Sequence, residues 1–245
     1  MEVLRDKNIF LTGGTAGIGK ATTLFLAEKG YKVFIVGRNS EKLEQLMEEA
    51  RTAGVEDRIK FLLQDLADYE AWEKILPNLW DVHGPFHILI NNAGIGFAGI
   101  SDADAESLVY MTKTNLDAYL LLAGFFAKKM KEEDIEGDII NIGSMSADDR
   151  GGSSTGYVAT KAGIQGFTES LRKEVNPDNI RVSLIEPAAV GTDMQKISAE
   201  EQAEKEENRE MLKAEDLAKL IHFILEQDRR ITFPEIKIKA LRQFI

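Results

Sequence analysis

Cysteine is missing from all 245 residues. Disulfides and thiolate metal sites are thereby excluded, and nothing favours an oxidising compartment. Histidine is scarce: His83, His87 and His222 fall in no cluster with metal-ligand spacing and read as structural. No apolar run approaches the roughly 20 residues needed to span a bilayer. No Pro/Gly/Ser-rich linker, internal repeat or low-complexity segment interrupts the chain. An excess of positive charge is also absent. The formal net charge is -11, which argues against nucleic acid or an anionic membrane surface as partner. The start, Met1-Glu-Val-Leu-Arg-Asp-Lys7, leads at once into an apolar strand, so no signal peptide and a cytoplasmic protein are expected.

What the chain does have is a steady alternation of short apolar runs and amphipathic stretches. Asn8 to Leu11, Val33 to Val36, Ile59 to Leu63, Ile88 to Ile90, Ile139 to Ile142 and Val182 to Ile185 read as buried strands. Between them lie helical patterns such as Leu43, Leu46, Met47 and Ala50, preceded by the capping candidates Asn39 and Ser40 and stopped near Gly54. Continuous apolar strands separated by helices imply an α/β fold, a doubly wound parallel sheet with helices on both faces. One Rossmann-type domain over residues 1–245 is expected. Glu235-Ile-Lys-Ile-Lys239 alternates Ile with charge and suits the sheet margin, where lysines discourage edge pairing. A charged stretch opens at Ser198-Ala-Glu-Glu201, a candidate capping box. Its place after the sixth strand makes residues 193–213 a candidate substrate lid.

A glycine-rich turn, Thr12-Gly13-Gly14-Thr15-Ala16-Gly17-Ile18-Gly19, follows the first strand and opens a helix. Glycines let a backbone turn sharply against a pyrophosphate, and a helix N-terminus offers free N–H donors and partial positive charge. Thr15 adds a hydroxyl. In NAD-binding proteins of this architecture an acidic residue about 20 positions on accepts from the ribose 2′-OH. Here that place is Gly37, followed at once by Arg38. A guanidinium can bind a 2′-phosphate through charge-assisted hydrogen bonds, so NADP(H) is favoured over NAD(H).

Tyr157 and Lys161 stand four apart, about one helical turn, thirteen and seventeen residues after Ser144. A phenol beside an ammonium is the arrangement expected of a tyrosine that exchanges protons near neutral pH. With the turn, it reads as proton transfer coupled to hydride transfer. At this point the chain resembles the short-chain dehydrogenase/reductase family over essentially its whole length. The matching pieces stand in order: Thr12-Gly13-x-x-x-Gly17-Ile18-Gly19, Asp65-Leu66, Asn91-Asn92-Ala93-Gly94, Asn115, Ser144, Tyr157-x-x-x-Lys161, and Pro187 with Thr192.

The resemblance implies roles. Tyr157 donates a proton to a carbonyl oxygen or takes one from an alcohol. Lys161 tunes that phenol and holds the nicotinamide ribose, and Ser144 steadies developing negative charge on the substrate oxygen. Asn115, expected within one long helix from Ala103 to Lys131, supports a water chain toward Lys161. Asp65 and Leu66 border the adenine, Asn92, Ala93 and Gly94 line the cofactor cleft, and Pro187, Val190 and Thr192 lie at the nicotinamide end. Ala188 departs from the family's usual glycine, and its methyl is expected to narrow the pocket or shift the cofactor slightly. A homo-oligomer, tetramer or dimer, is implied, as is a small carbonyl or alcohol substrate. The ending Pro234 to Gln243 resembles that of the serine and 3-hydroxy acid dehydrogenase branch. Asp148, Asp149 and Arg150 place charge near the entrance. Two alternatives stay open: a 3-oxoacyl-(acyl-carrier-protein) reductase, and an NADP-sensing protein without turnover.

Overall fold

Seven short runs pair side by side, the five central ones buried on both faces and the two marginal ones, rich in alternating exposed positions, at the edges. They are β1 (Asn8–Thr12), β2 (Lys32–Gly37), β3 (Ile59–Leu63), β4 (Ile88–Asn91), β5 (Asp138–Ile142), β6 (Arg181–Pro187) and β7 (Glu235–Ile238) in a computed structural model that describes residues 7–243. Every pairing is parallel and the spatial order is β3-β2-β1-β4-β5-β6-β7. The expected strands are all present: Ile59–Leu63 falls as expected, the last ends one residue earlier at Ile238, and the others are extended by a residue or two at one or both ends. Winding reverses direction between β1 and β4, and this opens a crevice at the carboxyl ends of those strands.

The period of two along each strand sorts side chains between two cores. Ile9, Leu11 and Ile35 meet Leu26 of α1 (Gly17–Glu28), Leu46 of α2 (Ser40–Thr52) and Leu217 and Ile221 near the carboxyl end of the chain. On the other face, Phe10, Phe34 and Leu89 meet Trp72 and Leu76 of α3 (Tyr69–His83) and Phe126. Phe10 sits at the centre of this second core, its ring centroid 4.9 Å from that of Phe126. Asn39 caps α2 by accepting from the Lys42 N–H at 2.9 Å. At the amino edge of the sheet, buried Asp138 accepts from Arg181 Nε at 2.7 Å and from Arg229 at 2.9 Å. β7 closes the margin, with Ile236 and Ile238 against the first core.

One expectation changes. The single helix from Ala103 to Lys131 is instead α4 (Ala105–Thr112), a π-helical turn over Lys113–Asp117, and α5 (Ala118–Glu132). An inserted π turn leaves the apolar periodicity nearly intact on either side, so the pattern does not betray it. Such turns occur frequently at functional sites, and this one carries Asn115.

Beyond β5 come α6 (Ser146–Asp149) and α7 (Thr155–Val175). After β6 come α8 (Ala199–Glu207) and α9 (Ala214–Glu226). Ser198 accepts from the Glu201 N–H at 3.2 Å and so caps α8.

Candidate active site

The carboxyl edge of the sheet forms one cleft of about 1110 Å³ running from the β2 end to the segment after β6. At its floor the glycine turn is packed too tightly for other residues. A Cβ on Gly19 would overlap the carbonyl oxygen of Gly13 and stand 2.7 Å from the Asn92 amide nitrogen. α1 therefore starts directly behind the turn. Its N-cap, Ala16, offers no side-chain cap, and the first turn carries no acidic residue. The leading N–H groups thus remain available to an anion. Asn92 and Ala93 are fastened to this turn, since both N–H groups donate to the Thr12 hydroxyl, at 3.0 and 3.1 Å. Gly13, Thr15, Gly17, Ile18, Asn92, Ala93 and Gly94 all line the cleft. Gly19 does not line it; its role is to let the helix approach the turn. A short polar groove ending on uncapped N–H donors fits a pyrophosphate.

Gly37 lies against Thr15: a Cβ there would come within 2.9 Å of Thr15 Cγ2. An acidic side chain at this place would displace the threonine. Arg38 follows, and its guanidinium donates to the Tyr110 hydroxyl, lies over that ring at 5.4 Å, and stands 3.9 Å from Asp65. Tyr110 in turn donates to Asp65 at 2.8 Å. Burial, and then this bond to Asp65, push the Tyr110 hydroxyl above the usual phenol range. Leu66 lines the same end. Lys42 also points there from the first turn of α2 and pairs with Asp193 across the cleft.

At the other end Ser144, Tyr157 and Lys161 converge, from the end of β5 and one face of α7, and all three line the cleft. Lys161 as a residue is 3% exposed; its ammonium donates to the Ile142 carbonyl at 2.8 Å and lies 5.6 Å from the ring centroids of both Tyr119 and Tyr157. Burial lowers its pKa to about 8, with Glu186 acting in the opposite direction. Burial raises the Tyr157 phenol, and a hydrogen bond with Ser144 partly opposes that rise. Burial thus makes the Tyr157 phenol hold its proton more tightly than a free phenol does, and the Ser144 bond works against that. Asn115 does not face the cleft. Its side chain is fully buried and grips the Ile95 backbone, accepting from its N–H at 2.8 Å and donating to its carbonyl at 2.9 Å. Asn115 Oδ1 and Lys161 Nζ both come within 4 Å of the place a Cβ on Gly94 would take.

Pro187, Val190 and Thr192 line the cleft. Ala188 keeps φ outside the left-handed region and donates its N–H to the Ile238 carbonyl at 2.9 Å, so its methyl imposes no backbone strain. Of the charged run, Asp149 lines the cleft, while Asp148 turns away to pair with Lys237 at 2.7 Å and Arg150 folds back onto the Ala147 carbonyl. From the expected lid, Asp193, Met194, Gln195 and Lys196 line the cleft, whereas α8 does not. Sequence reasoning missed Lys42, Tyr110 and Gln243 as cleft residues. Lys42 had a legible signal, its place in the first turn of a capped helix. Tyr110 and Gln243 arrive through tertiary folding, and nothing local marks them. Among the described residues no cluster of His, Asp or Glu could hold a metal ion, and no helix is long and apolar enough to cross a membrane.

The model of the short chain dehydrogenase family matches residues 7–203. An oxidoreductase of Staphylococcus aureus (strain USA300), itself uncharacterized, is 31% identical over 242 residues, covering 98% of this chain and 100% of that protein. Among solved structures, 4-hydroxyisoleucine dehydrogenase complexed with NADH is 26% identical, with a TM-score of 0.84 over 96% of this chain and 98% of the other. ElxO with NADP bound is 25% identical, with a TM-score of 0.81 over 95% and 97%.

Proposed function

Because the chain belongs to the short-chain dehydrogenase family and is an oxidoreductase of that kind, we propose that it reduces the carbonyl group, or oxidises the corresponding alcohol, of a small polar molecule with NADP(H). A nicotinamide cofactor, when bound, supplies or takes the hydride. The chain's own residues do the rest. Tyr157 gives its phenolic proton to the carbonyl oxygen in reduction and recovers it in oxidation. Ser144 donates to the same oxygen as negative charge grows there. Lys161 keeps a positive charge beside the phenol. A free phenol at about 10 must gain roughly 4 kcal/mol of preferential phenolate stabilisation to release its proton near pH 7. Asn115 holds the loop after β4 at Ile95, and with it the wall facing Lys161.

The observation that carries this reading is the convergence of Ser144, Tyr157 and Lys161 at one end of a cleft whose other end holds the glycine turn and Arg38. Arg38 and Lys42, two cations at the ribose end where a carboxylate at position 37 would strike Thr15, support NADP(H) over NAD(H). Asp149, Ser153, Ser154 and Lys196 give the substrate end a polar, mixed-charge lining. That lining supports a small polar substrate; 4-hydroxyisoleucine dehydrogenase is by name an enzyme for a hydroxylated amino acid. The test is a panel of small keto compounds with NADPH, followed by loss of its near-ultraviolet absorbance. Turnover with at least one of them, faster with NADPH than with NADH, is expected. NADPH binding without turnover across the panel would instead favour a sensing role.

A further inference from the structure

Glu186 is a buried carboxylate on a strand whose residues are all buried. It is the penultimate residue of β6 and its side chain is fully buried, two residues beyond Leu184, which packs on Tyr119 and Ile164. A hydrophobic residue could fill that place without the desolvation cost that a buried carboxylate carries. Its two oxygens are treated unequally. Oε2 accepts from the Gln165 amide at 3.1 Å and stands 4.0 Å from Lys237 Nζ. Oε1 is buried without a hydrogen-bond partner among the described residues.

That oxygen sits beside the catalytic end of the cleft. Lys161 lies one helical turn before Gln165 on α7, and its ammonium donates to the Ile142 carbonyl at 2.8 Å. On the next residue, a Cβ on Gly143 would lie 3.1 Å from Glu186 Oε1. The ammonium and the carboxylate therefore approach the same short stretch of β5, Ile142 and Gly143. We propose that Glu186 is a positioning residue for the Tyr157–Lys161 pair, its carboxylate holding the proton on the Lys161 ammonium without touching substrate or cofactor. This rests on the reading above, in which the charge of Lys161 serves the phenol.

The neighbours of Glu186 set its own charge. Burial raises its pKa, Glu235 of β7 and Asp148 of α6 act in the same direction, and the Gln165 amide and Lys237 of β7 oppose them. Lys237 is itself held protonated by Asp148 and Glu235. For Lys161 the balance is simpler: burial drives its proton off, and Glu186 is the charge that retains it. Without that charge the ammonium loses its proton at lower pH. If its midpoint falls one unit from about 8, the charged fraction falls about fivefold at pH 8 and roughly by half at pH 7.

The experiment is a pH titration of the Lys161 ε-carbon NMR resonance, assigned by its loss in Lys161→Met, in the native protein and in Glu186→Gln. NADPH-dependent kcat and KM are measured across the same pH range. In Glu186→Gln the Lys161 midpoint should fall by about one unit. The alkaline limb of kcat should fall with it, KM should hardly move, and Glu186→Asp should restore part of the shift. A folded Glu186→Gln with an unmoved Lys161 midpoint would overturn the proposal. Should Glu186→Gln not fold, Gln165→Met removes the amide that keeps Glu186 ionised; a smaller downward shift then supports the proposal, and no shift overturns it. A native protein without carbonyl turnover, but with the Lys161 shift intact, would refute the proposed carbonyl-reducing function and leave the charge coupling standing.

Discussion

Arg38→Ala removes a guanidinium that is about half exposed and hydrogen-bonded to Tyr110, with Asp65 at 3.9 Å. If that guanidinium is what recognises a 2′-phosphate, the variant loses one or two charge-assisted hydrogen bonds to it. Each contributes about 1.5–3 kcal/mol in a protein. Two features reduce the figure here. Solvent screens an exposed charge, and the guanidinium must exchange its contact with Tyr110 for the phosphate. Lys42, at the same end of the cleft, also remains in the variant. A net loss of about 1.5–3 kcal/mol follows, or roughly ten- to a hundredfold in the dissociation constant for NADPH. NADH has no group at that place, so its affinity should change less than threefold or so. Fluorescence titration of both cofactors against native and Arg38→Ala protein reads the difference directly. Native affinities that are equal for the two cofactors, or a variant that weakens both alike, would refute the reasoning.

Three further outcomes are expected. Gly19→Ala should abolish cofactor binding in titration or prevent folding, since the added methyl overlaps the Gly13 carbonyl at the start of α1; normal binding would count against the packed-turn account. Asp138→Ala leaves Arg181 and Arg229 without their shared carboxylate at the buried edge of the sheet and should cost about 3–5 kcal/mol in denaturant unfolding, with the cleft untouched. Val109 and Leu120, exposed on the helical stretch around Asn115, fit a face covered by another copy, so light scattering should give a mass at least twice 27.3 kDa; a monomer mass at micromolar concentration would contradict this.

The centre of the sheet was readable because each central strand is covered on both faces and so leaves a nearly uninterrupted apolar run. Asn8 to Leu11 and Ile88 to Ile90 show this most plainly, and the parallel arrangement followed from the helices between the strands. The chemical end of the cleft was readable because Tyr157 and Lys161 share a helix and Ser144 ends the neighbouring strand, so their proximity needs little beyond local geometry. Other features depend on tertiary packing. Asn115 looked like a polar residue on a continuous helix, whereas the π turn carries it inward to grip Ile95. Tyr110 reaches Asp65 from 45 residues away, with nothing in the intervening sequence to announce it. Glu186 did leave a trace, a carboxylate just past an apolar run, but its burial beside Lys161 could only come from the fold. Position 37 shows how structure adds a cause to a sequence expectation: the missing acidic residue matters because Thr15 occupies the space.

The central claim is that the Tyr157 phenol delivers the proton while the cleft binds the cofactor independently of it. Tyr157→Phe keeps the ring and its packing and removes the hydroxyl, so the measurement is carbonyl turnover and NADPH affinity on this one variant. Loss of a general acid costs about 10²–10⁴ in rate, so turnover should fall by at least a hundredfold while the dissociation constant for NADPH stays within a few-fold of native. A Tyr157→Phe protein that retained most of its carbonyl-reducing activity would contradict the account.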